Sequence, residues 1–184
     1  MQQSKTALLV MDVQPNIVAK IADKDVYVEE VYAAVEQARV RHIPVFFIVV
    51  GFRPGFPEIS THNKSFSTIK NQAPTGMVEP SPVIAPTQNE LVITKRRVSA
   101  FTGSDLEVVL RGQGIARIVL CGVATSGVIL STTREAADKD YEITILSDLC
   151  RDRDDEVHRV LLEKILPKQA DVITSSEWFT SLRI

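Results

Sequence analysis

Cysteine is scarce in this chain. Cys121 and Cys150 are the only two in 184 residues, too few for a disulfide framework and not at metal-ligand spacing. A surplus of positive charge is missing as well. The formal net charge is −2, so no basic surface stands ready to neutralise phosphates or anionic lipid, and neither nucleic acid nor membrane is an expected partner. Long hydrophobic runs are also lacking. The first apolar run, Ala7-Leu8-Leu9-Val10-Met11, stops at Asp12, too short for a secretory h-region and far too short to span a bilayer. Repeats, linkers and low-complexity tails are not evident. The expected setting is a reducing, cytoplasmic one.

What remains is ordinary soluble composition, 45% apolar and 24% charged, and a length that favours one domain over residues 1–184. Short β-branched runs alternate with longer amphipathic stretches. Thr6–Met11 reads as a strand covered on both faces, and Pro44–Val50 as a second. Between them Val28, Val31, Tyr32, Val35 and Ala38 recur at helical spacing. Leu91–Thr94, Ala116–Cys121, Glu142–Leu146 and Ala170–Thr174 are four further strands, which makes six. Helices are expected from Ser104, from Thr125 to Lys139 and from Asp154 to Leu166, the first opened by a capping box of Ser104 and Glu107. Such alternation implies right-handed crossovers and an α/β fold: a three-layer α/β/α sandwich on an open, mainly parallel sheet, Rossmann-like in plan. The exception is Gly51–Glu90, rich in proline (Pro54, Pro57, Pro74, Pro80, Pro82, Pro86), which reads as an irregular lid or subunit contact.

Ligands of an open parallel sheet bind outside the carboxyl ends of its strands. Asp12 ends the first strand there, Lys95 ends Leu91–Thr94, and the turn Gly122–Val128 follows Ala116–Cys121. A carboxylate and an ammonium on one rim can hold each other charged and positioned for proton transfer. The helix from Thr125 aims N–H groups at the same rim, where an anion or developing oxyanion could sit. The plainer alternatives stay open: a lone Asp after a strand can be a turn residue, and a lone Lys can be solvated. Cys121 in its apolar run and Cys150 beyond another strand both read as buried and inert. Ser126 can line a pocket but has no evident general base. His62 stands without partner ligands, His42 and His158 on helix ends or faces, so no metal and no cofactor are expected. Gln14, Phe101, Phe52, Phe56 and Phe66 are candidates for the pocket wall, and Arg96 or Arg97 for a substrate carboxylate.

Four segments in this order resemble the isochorismatase-like superfamily of cysteine hydrolases. They are Leu8–Gln14, Lys95–Phe101, Leu106 with Leu110-Arg111 and Gly114-Ile115, and Cys121–Val128 with Thr132 beyond. The resemblance runs from Ala7 to about Thr174 and implies an Asp, Lys and Cys triad. Asp12 and Lys95 carry over; the nucleophile does not, because the Thr-Ser-Gly-Cys form becomes Thr125-Ser126-Gly127-Val128. It also implies a non-proline cis peptide at Val123–Ala124, and an oxyanion site built from the Ala124 and Val128 amides. A small-molecule substrate and a homodimer or homotetramer are implied by the same likeness. Valine cannot attack a carbonyl, so thioester-forming amidase chemistry is unavailable at residue 128. Three readings follow. First is a hydrolase of a small acid, ether or amide using Asp12 and Lys95 without a cysteine. Second is a non-catalytic relative that binds a small ligand or only assembles. Third is an enzyme drawing its nucleophile from Ser126 or elsewhere.

Overall fold

Successive side chains of a strand point to opposite faces, so a strand buried on both sides must be apolar throughout. The first strand, β1 (Lys5–Met11), meets that condition from Ala7 onward. Ala7, Leu9 and Met11 enter one apolar cluster and Leu8 and Val10 the other, so β1 divides two cores. The structure, a computed structural model, describes residues 5–72 and 75–182. Pro74 of the proline-rich segment lies outside the described residues, as do Met1–Ser4 of the polar N-terminus.

Beyond β1 the elements run α1 (Pro15–Val18), α2 (Lys24–Val40), β2 (Val45–Val50), α3 (Lys64–Gln72), β3 (Leu91–Lys95), α4 (Leu106–Gly112) and β4 (Ile115–Val123). Then follow α5 (Leu130–Asp138), β5 (Glu142–Arg151), α6 (Asp155–Val160), β6 (Asp171–Ile173) and α7 (Ser175–Ser181). All pairings are parallel, in the order β3-β2-β1-β4-β5-β6. The strand order reverses between β1 and β4, and the carboxyl ends of those two strands flank the crevice where such sheets bind ligands. One core packs β1, α4, α5 and Leu161; the other packs β1, α2 and Trp178 of α7. None of the described helices is long and apolar enough to cross a membrane.

Two features fix the rim. Gly122 has φ +140°, and a Cβ there would stand 2.0 Å from the Met11 carbonyl oxygen, so only glycine lets β4 approach β1 at its exit. Gln14 is fully buried, and its amide donates to the Val50 carbonyl (3.1 Å) and accepts from the Val50 N–H (2.8 Å). It therefore extends the β1–β2 pairing past the end of β1.

Three expectations need correction. Gly51–Glu90 is not irregular throughout: it contains α3 and a short 3₁₀ turn at Thr75–Met77. Phe52, Phe56, Ile59, Phe66 and Met77 form a third apolar cluster there. Ser104 does not make a capping box. Its hydroxyl accepts from the Leu106 N–H (3.2 Å), while the Glu107 carboxylate is drawn to Lys139 (2.6 Å). The only described helix with both halves of such a box is α7, through Thr174 and Glu177. Finally the strand read as Glu142–Leu146 is longer: β5 continues to Arg151, pairing with β4 after a shift of register, while Asp148 accepts from the Ser175 N–H and hydroxyl. Cys150 is thus a strand residue opposite Gly122.

Replacing Gln14 by Met keeps the volume but strands the Val50 N–H and carbonyl in a dry interior. The loss expected is roughly 2–4 kcal/mol of unfolding free energy by urea titration. A change below about 0.5 kcal/mol would mean that this residue does not hold the rim.

Candidate active site

The carboxylate of Asp12 lies where β1 leaves the sheet. Its φ of +57° is left-handed, a conformation Asp tolerates better than most residues, and its N–H donates to the Ile48 carbonyl (2.8 Å). The backbone is thereby bent and tied to β2. Lys95, at the end of β3, sends its stem past β2 to place Nζ 2.9 Å from Asp12 Oδ2. The remaining donors of Nζ go to the carbonyls of Arg97 (3.0 Å) and Val98 (2.9 Å). The ammonium is fully engaged and only 1% exposed.

Asp12 is less well served. Its Oδ1 is buried and finds no hydrogen-bond partner among the described residues. Burial pushes the carboxyl up to about 6, partly countered by the charge and hydrogen bond of Lys95. A carboxyl in that range can both give and take a proton near neutrality.

The loop after Lys95 joins this pair to the turn after β4. The Ala100 N–H donates to Thr132 Oγ1 (3.0 Å) on α5, and Val98 lies against Gly127, its Cγ1 4.0 Å from where a Cβ would stand. The Val123–Ala124 peptide is cis. Residues Thr125–Ile129 then make one π turn before α5, and irregular helical turns of this kind recur at functional sites. The Ala124 carbonyl accepts from Gly127 (3.0 Å) and Ile129 (3.3 Å), and Val128 is buried at 1% exposure.

Several residues expected to line the site have other partners. Gln14, expected in a pocket wall, spends both ends of its amide on Val50. Phe101 is core: it packs on Tyr141 (5.7 Å between rings) with the Lys139 ammonium 5.7 Å from its centroid. Phe52, Phe56 and Phe66 pack on one another, so their rings serve cohesion. Arg96 and Arg97 pin the loop after β2. Arg96 donates to the Gly51 carbonyl (2.5 Å), and Arg97 to the Glu58 carbonyl (2.8 Å) while covering the Phe66 ring. Ser126 is exposed, at the edge of a cavity of about 290 Å³ that Val123, Ala124, Lys20 and Asp152 also line. A broader groove of about 2050 Å³ runs from Thr6, Arg117 and Glu142 at the amino ends of the strands to Ser147, Ile173 and His158, without including Asp12.

Both thiols are fully buried. Cys121 Sγ points to the Leu9 carbonyl (3.7 Å), and burial raises its pKa well above the ordinary thiol value. Cys150 shares an apolar cluster with Val128, and burial pushes it up to about 12. Neither offers a thiolate near neutrality. Among the described residues no three His, Cys, Asp or Glu side chains are grouped to hold a metal ion.

Two residues with no role expected of them also reach this rim. Asp152 Oδ2 accepts from the Ser126 N–H (2.6 Å). Burial pulls its carboxyl upward, but the Ser126, Arg153 and Asp154 donors win and hold it low. His158 on α6 brings Nδ1 to 2.8 Å from Thr125 Oγ1. The spacing of Asp152 and His158 around a predicted helix start carries no hint of either contact, since both reach back across some 26 to 33 residues.

Residues 6–177 match the model of the isochorismatase domain. An uncharacterised isochorismatase family protein of Bacillus subtilis is 30% identical over 180 residues, covering 97% of this chain and 95% of that protein. Maleamate amidohydrolase of Pseudomonas putida is 31% identical over 113 residues, which are 58% of this chain and 53% of that enzyme. A solved structure of an isochorismatase family protein from Burkholderia thailandensis superposes with a TM-score of 0.84 at 26% identity, covering 99% of this chain and 97% of that one.

The raised carboxyl has a thermodynamic signature. The folded chain holds the Asp12 proton more tightly than the unfolded chain, so this group's stabilisation is complete below about pH 4 and is lost as pH rises through 6. The unfolding free energy of the wild type, relative to Asp12→Asn, should therefore fall between pH 4 and 6.5 and level off above it. Urea titrations across that range check the sign; a difference that rises over the window would contradict it.

Proposed function

Because this chain belongs to the isochorismatase family, we infer that it is a hydrolase of a small acid, ether or amide in which Asp12 carries the proton and no cysteine takes part. The observation that carries this reading is the unpartnered Oδ1 of Asp12, buried beside an ammonium whose other hydrogen bonds are all spoken for. Lys95 acts as electrostatic partner: it keeps the carboxyl from climbing further and fixes its orientation, leaving Oδ1 for a substrate. The amides of Ala124 and Val128 are assigned to a substrate oxygen: a carboxylate oxygen of an enol ether of pyruvate, or the carbonyl oxygen that gains negative charge in an amide or ester.

Val128 stands where the resemblance calls for the nucleophile, which favours a reaction needing only an acid and water. Hydrolysis of an enol ether fits. Asp12 delivers its proton to the enol-ether carbon, water adds to the resulting oxocarbenium ion and returns a proton to the carboxylate. The hemiketal then breaks its C–O bond to give an alcohol and a ketone. Val128 is itself buried and offers no group that could replace the acid. Maleamate amidohydrolase, by its name, acts on an amide, so amides belong among the substrates tested.

A second reading, a non-catalytic relative that binds a small ligand or only assembles, draws support from Val128 itself and from Asp152 occupying the Ser126 amide. Turnover separates the two. Wild type should hydrolyse a pyruvate enol ether, with maleamate and a simple ester as comparison substrates. Asp12→Asn should lower that rate by at least about 100-fold, the usual scale for a lost acid–base group. Val128→Ala should stay within a few-fold, and Val128→Cys should gain amidase activity on maleamate. Should the wild type turn over none of the three while Asp12→Asn binds the same compounds equally well, the hydrolase reading fails.

A further inference from the structure

Thr125 is the first residue after the cis-linked Ala124, it is fully buried, and its hydroxyl meets two groups from elsewhere in the chain. It donates to the Arg151 carbonyl at the end of β5 (3.3 Å), and it lies 2.8 Å from His158 Nδ1 on α6. A threonine hydroxyl has one proton. With that proton on the Arg151 carbonyl, the contact to the ring is satisfied only if Nδ1 carries hydrogen and donates to Oγ1. We propose that His158 is a positioning residue: its Nδ1–H, acting through the Thr125 hydroxyl, sets the orientation of the turn whose amides receive the substrate oxygen. This role rests on the assignment of those amides above.

The geometry explains why a hydroxyl and an imidazole are placed here. The turn has no side chain of its own that hydrogen-bonds Asp12 or Lys95. Its position relative to them is set through α5, by Thr132, and at its start by Thr125, with Asp152 accepting from the Ser126 N–H between. His158 is half-buried and cannot touch a substrate at Asp12 through its bonded nitrogen. Its effect therefore passes through Thr125. Arg151, which supplies the second contact, is itself held by Asp23 (3.2 Å) and Glu30 (2.9 Å) of α2 and the turn before it. A misplaced amide turns the substrate's enol-ether carbon away from the Asp12 proton, and misorientation costs the proton-transfer step more than it costs binding, so the signature belongs in kcat.

The test uses the full chain, with the pyruvate enol ether as probe. His158→Leu and Thr125→Val should each lower kcat about tenfold with KM changed less than about twofold, and the double variant should be no worse than either single one. His158→Asn places an amide donor where Nδ1 stands and should recover most of the rate, as should Thr125→Ser. Nitrogen-15 NMR of the wild type should show His158 with hydrogen on Nδ1, and His158→Leu should shift the Ala124 and Ser126 amide resonances. Those NMR results do not depend on turnover, so they judge the contact even if the hydrolase reading fails. A bare Nδ1 in wild type, unmoved amides in His158→Leu, equal losses in His158→Asn and His158→Leu, or multiplicative losses in the double variant would each overturn the proposal.

Discussion

Keeping a carboxylate and an ammonium together in a place nearly without water is the constraint on which this structure turns. Removing two charges from water costs several kcal/mol each unless the site restores what water supplied. The chain restores it for Lys95 completely, with one carboxylate and two carbonyls. For Asp12 it does so incompletely, and the deficit is confined to one atom, Oδ1. A carboxyl left in that state prefers its proton more than a solvated one would, which is the property an acid catalyst near neutrality needs.

The rest of the rim serves that pair. The left-handed bend at Asp12 and the close approach at Gly122 bring the exits of β1 and β4 to one crevice. Gln14 satisfies the Val50 backbone at the adjacent exit of β2. Arg96 and Arg97 tie down the loop from Gly51 to Glu58, so the aromatic cluster of Phe52, Phe56 and Phe66 is anchored to the segment that ends in the lysine's acceptors. On the other side of the crevice, Asp152 and His158 reach from the end of β5 and from α6 to the first turn of the helix before α5. Side chains from both halves of the sheet thus converge on a switch point that the strand order alone defines.

Much of the architecture is legible in the sequence because it rests on local signals. Continuous apolar runs such as Ala7–Met11 and Val45–Val50 read as strands covered on both faces; Asp12 follows the first of them, and Lys95 closes the partly exposed edge strand β3. What escapes such reading depends on distant partners. Nothing near Gln14 in sequence announces Val50, 36 residues away. Phe101 looks like a pocket ring because its neighbours carry the family likeness, yet Tyr141 and Lys139 claim it for the core. The Ser104–Glu107 spacing satisfies the local rule for a cap, and a lysine at the far end of α5 takes the glutamate instead. The strand read as Glu142–Leu146 stops short at the polar Ser147-Asp148, because the partner that satisfies Asp148, Ser175 of α7, lies 27 residues later. In each case a long-range contact outbids a short-range pattern.

The central claim is that Asp12 is an acid poised near neutrality beside a charged lysine. Carbon-13 NMR of its side-chain carboxyl, followed across pH, addresses this directly. The midpoint is expected near 6 and should move higher when Lys95 is replaced by Met, since the ammonium is what restrains it. A midpoint near 4, as for a solvated aspartate, or one that ignores the loss of Lys95, would contradict it.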